Sequence, residues 1–342
     1  MKRIFIISFV ILTCFIIILN LKNDKKYIEK DGVMLALTLD GERINKIPES
    51  NNYYVHVQCT NGVGKWLAEE WKLSVEEING NVICNIDFIS TPNTLINEVE
   101  NKTLVNINGY RYNGKNPNNY IWFNNEIWRI IGSVPVCLEA SCGESGTNLV
   151  KLIRNDSLGK LVINTNSDSR WSDSHLYTVL NSYYYGKSSG TCYSYESTAT
   201  GFCDYSQLGI VPNGYYGKMV KNVYWNTGKS SNSTAFRGFY QNEIQTQSVL
   251  GYIGLMNISD LTLANEVENT TNLDNWLYRY SNEKNLTIYT DAQWCVCANY
   301  AGELSVCDGD FGGHVRPVVY LDPSVYIISG DGTINNPYQI GM

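Results

Sequence analysis

The sequence predicts an α+β fold, with an N-terminal membrane anchor helix, a small all-β module and a larger α+β domain. Three observations predict it. Apolar and polar residues alternate with a period of two through much of the chain, punctuated by Asx-Gly pairs, which is the signature of hairpin-connected strands. Helical spacing recurs in only a few segments, scattered among those strands, which argues against a doubly wound parallel sheet. One unbroken apolar run, from Ile4 to Leu19, opens the chain and is too long for a strand.

Lys2 and Arg3 precede that run. As a helix it spans about 24 Å, a little short of a hydrocarbon core of about 30 Å. Leu21 and snorkelling Lys22, Lys25 and Lys26 cover the shortfall. No small-x-small cleavage site follows, so residues 1–21 read as an uncleaved signal anchor rather than a cleaved signal. A lipoprotein anchor through Cys14 fits poorly, because Ile11-Leu12-Thr13 lacks the small residue expected before the cysteine. Residues 22–32 read as a polar tether.

Nine of the ten cysteines follow the anchor. Most fall in near pairs without the Cys-x2-Cys knuckles or nearby histidines that zinc would want. His56, His175 and His314 are far apart in sequence. Local cysteine pairs in an exported chain read as disulfides in an oxidising space. The expected location is therefore the cell membrane, single-pass, with the bulk of the chain extracellular.

Residues 33–90 read as a small β module. Val33, Leu35, Leu37 and Leu39 alternate with more polar neighbours, as do Tyr53 to Thr60 and Val82 to Phe88, with turns at Asp40-Gly41, Asn61-Gly62 and Asn79-Gly80. Cys59 and Cys84 share the apolar phase of their strands and are disulfide candidates, with Trp66 or Trp71 beside them. Residues 91–108 read as a linker that can hold a helical turn. The domain at 109–342 opens with a hairpin around Asn124-Asn125, a pair that tolerates positive φ. Helices are expected at 172–185, capped by Ser172 or Asp173 and stopped at Gly186, then near 215–225 and 239–247. Strands are expected at 149–154, 252–256, 315–321 and 326–329, with a hairpin over 294–307.

The composition excludes some functions. The net charge is −7 over 342 residues, which argues against a non-specific nucleic-acid binder. No phosphate loop, nucleophile elbow, His-Glu-x-x-His or dinucleotide fingerprint is present, so no catalytic residue and no cofactor is assigned. Asp308-Gly309-Asp310 resembles the start of a calcium loop, but Val319 stands where the closing acid belongs; a solvated turn is the simpler reading. Asp331 reads as part of another turn. Asp168, Asp173 and His175 near Arg170 form an imaginable acid/base set, and a capped helix start explains them more simply.

Cys137 with Cys142, and Cys192 with Cys203, read as local loop staples. Cys307 pairs with Cys297 or Cys295, leaving the other free or intermolecular; the hairpin favours Cys297. Aromatic residues crowd 183–240 among Gly, Ser and Asn, a mixture like that of a paratope. Tyr184, Tyr185, Tyr215, Tyr216, Tyr224 and Trp225 are the candidate binding-surface residues; packing is the alternative reading for each.

Several strings carry a resemblance: Phe123-Asn-Asn-Glu-Ile-Trp-Arg-Ile-Ile-Gly132, Ile253-Gly-Leu-Met256, Val315-Arg-Pro-Val-Val-Tyr-Leu321 and Gly330-Asp-Gly-Thr-Ile-Asn-Asn-Pro-Tyr338. Together they resemble an uncharacterised family of surface-anchored proteins of low-GC Gram-positive bacteria, which implies surface anchoring and no particular reaction. The late Arg316-Pro317-Val318 string and the Trp-Gly loops resemble the C-type-lectin-like fold shared with sulfatase-modifying enzymes. Those enzymes need a copper-binding cysteine pair whose context Cys295-Val296-Cys297 does not match, so the fold alone is implied. The expected function is a membrane-anchored extracellular binding or adhesion protein for a glycan or protein ligand. The alternatives are a secreted enzyme acting on cell-surface polymers or thiols, and a passive structural surface protein.

Overall fold

The computed structural model describes residues 28–30, 32–49, 53–67, 70–90, 94–102, 105–106, 108–140, 142, 146–164, 171–194, 200–230, 236–244, 248–265, 274–289, 294–299, 301–308 and 311–342. The expected anchor at 1–21, most of the tether, Asp168, Arg170 and Asp310 lie outside the described residues. Among those described, no helix is long and apolar enough to cross a membrane. The chain is mixed α+β, mostly strands with few helices in several small sheets. It divides into two compact units, 1–90 and 91–342.

In the first unit, strands β1 (Val33–Leu39), β2 (Tyr53–Thr60) and β3 (Val82–Ser90) build the main sheet. β3 lies between the other two, parallel to β1 and antiparallel to β2. The Asp40-Gly41 turn, with both residues at positive φ, returns only the short strand Glu42–Ile44. The alternation puts Leu35, Leu37, Val82, Cys84, Ile86 and Phe88 on the buried face. A hairpin of Val63–Leu67 and Lys72–Glu76 brings Trp66 and Trp71 to Phe88, with ring centroids 5.4 and 6.0 Å away. Cys59 and Cys84 are partners in the β2–β3 ladder and are disulfide-bonded. Gly64 is needed there, because a Cβ would collide with the Cys59 sulfur.

The second unit begins with helix α1 (Leu95–Lys102), within the stretch expected as a linker. It buries Leu95 and Val99 in the larger core, and Val105–Asn106 pairs with Tyr110–Arg111. The central sheet holds β4 (Tyr120–Phe123), β5 (Glu126–Val136), β6 (Thr147–Arg154) and, late in the chain, β7 (Val318–Tyr320). β6 lies between β5 and β7, and Tyr110–Arg111 pairs with the far side of β5. The β4–β5 hairpin turns through Asn124 and Asn125, both at positive φ, so the pair supplies the turn chemistry its sequence suggests.

The expected helices are shorter or differently wound. Over 171–186 the chain passes from a 3-10 turn through α to a π segment at Val179–Tyr183 and back to 3-10. Consecutive Tyr184 and Tyr185 are both buried, which one regular helical face does not accommodate well. Ser174, not Ser172 or Asp173, caps the α turn by accepting from the Tyr177 N–H at 3.0 Å. Lys187, not Gly186, takes the left-handed position. The helix near 215 stops at Met219, because Val223 and Trp225 follow a strand's period and pair with Ser248–Gly251. Helices α2 (Phe236–Ile244) and α3 (Ile258–Leu263) complete the unit. The strand expected at 252–256 stands at Ser248–Gly251 instead, leaving Gly254 a single bridge to Val318.

Cys137–Cys142 and Cys192–Cys203 are both bonded. The Cys297–Cys307 expectation is corrected. In the hairpin of Trp294–Ala298 and Leu304–Asp308, Cys307 faces Cys295 in register and Cys297 faces Ser305. Cys307 is disulfide-bonded and Cys297 is a free, buried thiol. A diagonal neighbour lies about 7–8 Å away on such a ladder, beyond the usual span of about 4.4–6.8 Å between disulfide Cα atoms. Burial pushes the Cys297 thiol up to about 12.

Two outcomes follow from this architecture. Replacing Cys59 and Cys84 together by Ala lowers the denaturant stability of the first unit by about 3 kcal/mol, the loop-closure contribution of a disulfide spanning 25 residues. Cys297 resists alkylation at pH 8 in the folded protein and reacts only once denaturant is added, as mass spectrometry of the labelled chain reads directly.

Candidate functional site

Two charged constellations stand out in the second unit, one buried and one at a cleft. The buried one is organised by register. Gly132 in β5 pairs with Arg111 on one side and with Lys151 on the other, and Lys151 pairs onward with Tyr320 in β7. Residues opposite each other in a ladder share a face, so the two cations flank a position with no side chain. Asp260 bridges the two cations. It accepts from Lys151 Nζ at 2.5 Å and from Arg111, and its other role is to receive the Asn257 N–H at 2.8 Å, in a capping box that starts α3. Burial pushes the Asp260 carboxyl up, but Lys151 and Arg111 outweigh it and hold it below the usual carboxylate range. Burial lowers the Lys151 ammonium against the pull of Asp260.

Glu243 of α2 lies in the same neighbourhood, buried, and accepts from the Thr287 hydroxyl at 2.5 Å and the Ser259 N–H at 3.1 Å. Burial raises its pKa to about 7 despite those hydrogen bonds. With Arg111, Lys151 and Asp260 at most 3% exposed, the cluster cannot meet a solute without opening the core. Its role is to join sheet to helices.

The second constellation borders open space. A cleft of about 380 Å³ is lined by Lys160, residues 278–282 and residues 312–314. Lys160 and His314 are direct partners in the two-residue ladder of Lys160–Leu161 and Gly313–His314. The His314 ring stacks on Tyr280, with centroids 4.3 Å apart and planes 17° from parallel. Burial, and then the nearby Lys160, lowers the His314 pKa. Arg279 donates to Asn155 Oδ1 at 2.7 Å and Asp156 Oδ1 at 3.0 Å, which fixes its guanidinium at the rim. Behind the cleft, Arg316 donates to Glu283 Oε1 at 2.6 Å and Oε2 at 3.1 Å, and to the Leu277 carbonyl. Gly313 keeps the floor thin, because a Cβ would strike the Asn282 carbonyl and the Lys284 stem.

Ser157 Oγ lies 3.3 Å from His314 Nδ1. The same oxygen accepts from the Gly159 and Val315 N–H groups at 3.0 and 3.2 Å and faces the Gly159 and Val315 carbonyls. That saturates the hydroxyl, so it braces the turn beneath the cleft and is not poised as a nucleophile.

The binding-surface candidates separate. Tyr184, Tyr185 and Trp225 are core residues, 0%, 7% and 1% exposed, which overturns their assignment to a surface. Trp225 donates to the Gly251 carbonyl at 2.8 Å and takes Gly254 against its ring face; Tyr185 stacks on Tyr252 at 4.3 Å. Their apolar area outweighs any binding role, as the packing alternative foresees. Tyr216 and Tyr224 are half-buried, and Tyr215 is 54% exposed with its hydroxyl tied to the Ile340 carbonyl. Asp173 is exposed, and His175 lies against Tyr193 at 4.6 Å. Asp331 bonds Thr333 within its turn, with Gly330 and Gly332 at positive φ. Among the described residues no group of three or more His, Cys, Asp or Glu is placed to hold a metal ion. Lys160, Arg279 and Tyr280 carry no local motif, and only their assembly in the fold marks them.

Glu243 makes stability depend on pH in a stated direction. Its folded pKa of about 7 lies above the ordinary 4.5, so the stabilisation is complete below about pH 4.5 and is lost as pH rises through about 7. Glu243→Gln removes that decline, making the protein more stable than the parent by about 3 kcal/mol at pH 8 and little different at pH 4.5, in denaturant titrations at the two pH values.

No family model, no curated protein and no solved structure matches the chain.

Proposed function

We propose that the chain is a membrane-anchored extracellular binding protein. The apolar segment within 1–21 holds it in the membrane, and the unit at 91–342 receives a glycan or protein ligand at the Lys160–His314 cleft. The observation that carries this reading is the disulfide bonding of Cys59 to Cys84, Cys137 to Cys142 and Cys192 to Cys203, and of Cys307. Such bonds persist in oxidising compartments and are rare in the cytosol, and the chain opens with the apolar run from Ile4 to Leu19 that would export it. The resemblance to surface-anchored proteins of low-GC Gram-positive bacteria supports the same address. The C-type-lectin-like resemblance supports a compact scaffold that binds through its loops, on the strength of the sequence strings alone.

The buried charges favour binding over catalysis, since their hydrogen bonds are spent on one another and on helix caps. The cleft offers Lys160, a rim-held Arg279 and aromatic rings around a space at the small end of the roughly 300–1,000 Å³ typical of ligand sites.

Intact cells producing the full chain, treated with an added protease that does not cross the membrane, test the address. The expected result is digestion of the chain from outside, membrane-fraction recovery without protease, and slower migration on gels after reduction. Protection of the whole chain in intact cells, or recovery in the soluble cytosolic fraction, overturns the proposal. Absence of binding to glycan and surface-protein panels supports the passive structural alternative instead.

A further inference from the structure

The cleft has a charge pattern that the fold itself does not require. Lys160 and His314 are direct cross-strand partners, where two like charges are destabilising. Burial, and then the neighbouring Lys160, lowers the His314 pKa, which lessens that conflict. Arg279 adds a second basic side chain to the lining, partly offset by the exposed Asp156. Among the described lining residues none is acidic, in a chain whose net charge is −7. Arg316 behind the cleft is matched by Glu283, so the unbalanced charge lies at the mouth and not in the core. An anion seated there would give Lys160 a counter-charge that no described lining residue provides.

The rest of the lining is suited to a hydroxylated ligand. Tyr278 and Tyr280 bring aromatic rings, and Ser281 and Asn282 bring a hydroxyl and an amide to the edge. Tyr280 is held in place by stacking on His314, and Tyr278 by its hydroxyl bond to the Asn299 carbonyl at 2.5 Å. Rigid rings beside polar groups bind at low entropic cost. The volume of about 380 Å³ suits a single sugar ring better than an extended chain.

We infer that this cleft binds an acidic saccharide, with its carboxylate, sulfate or phosphate on Lys160 and Arg279 and its hydroxyls along the Ser281–Asn282 edge. The inference rests on the cleft being the ligand site proposed above and adds the ligand's chemistry. Anions are held mainly through these two side chains, and protonation of His314 strengthens the hold.

The test is titration calorimetry on the purified full chain with glucuronate, glucose and inorganic sulfate as separate probes. Glucuronate is expected to bind saturably and more tightly than glucose or sulfate, with at least a tenfold loss in Lys160→Met and in Arg279→Gln. Lys218→Met removes an exposed cation from a helix outside the cleft and is expected to leave affinity unchanged. Sulfate keeps its charge between pH 5 and 8, so its affinity is expected to rise as pH falls through the imidazole range, and to lose that rise in His314→Gln. Melting temperatures within a few degrees of the parent establish that each variant is folded. Equal affinity for glucose and glucuronate, or glucuronate binding untouched by Lys160→Met and Arg279→Gln, overturns the acidic-ligand inference. If no probe binds, but Tyr280→Ala still abolishes capture of a neutral glycan or surface protein, the acidic-ligand inference fails and the binding reading survives. If cleft variants change no binding of any kind, both fail.

Discussion

The second unit depends on one carboxylate. Asp260 closes the first turn of α3 by accepting the Asn257 N–H, and the same group neutralises Lys151 from β6 and Arg111 from the strand on the other side of β5. Helix start, helix position and sheet face are therefore set by a single buried charge. A buried ion pair gains little over apolar packing, but an unpaired member is strongly destabilising. The three groups thus exclude any arrangement in which the helix sits elsewhere on the sheet. Gly132, between the two cations in the row, lets the Tyr110 carbonyl pass where a Cβ would collide with it. Glu243, beside this network with hydrogen bonds from Thr287 and Ser259, ties α2 into the same neighbourhood.

The buried arginines show two further ways of carrying charge inside a protein. Arg316 is matched by Glu283 at hydrogen-bonding distance. Arg129 is held between the Tyr120 and Trp276 rings, 4.1 and 4.5 Å from their centroids, with Asn119 and the Pro117 carbonyl accepting its N–H groups. Burial lowers its pKa to about 10, so it stays charged at neutral pH. In both cases the charge is satisfied within the fold. The cations at the Lys160 cleft differ in being exposed and only partly offset, and that contrast separates a structural charge from one available to a ligand.

Much of the first unit is legible in its residues. The alternation of Leu35, Leu37, Ile86 and Phe88 gives the buried face, and Asp40-Gly41 turns as its chemistry demands. Cys59 meets Cys84 because the phase of each strand is visible in its neighbours. What alternation does not carry is pairing order, so the parallel union of β1 with β3 had no local signal. The same limit appears at Cys297. Both Cys295 and Cys297 lie on one face of a strand, and only the register against residues 304–308 decides that Cys307 faces Cys295.

The aromatic residues of 183–240 show where composition misleads. Tyr184 and Trp225 can be read as a paratope or, more readily, as core, since a ring has the same area in either place, and their burial follows from strands and helices distant in sequence. Local chemistry settled the turns, the strand phases, the short-range disulfides and the apolar run at the N-terminus, because each depends on residues within a few positions of one another. The Asp260 cluster and the Lys160 cleft were decided by tertiary structure alone. Their members lie 109 and 149 residues apart in the first case and are drawn from residues 160, 278–282 and 312–314 in the second. Charges interact through space, and no pattern along the chain records which of them folding will bring together.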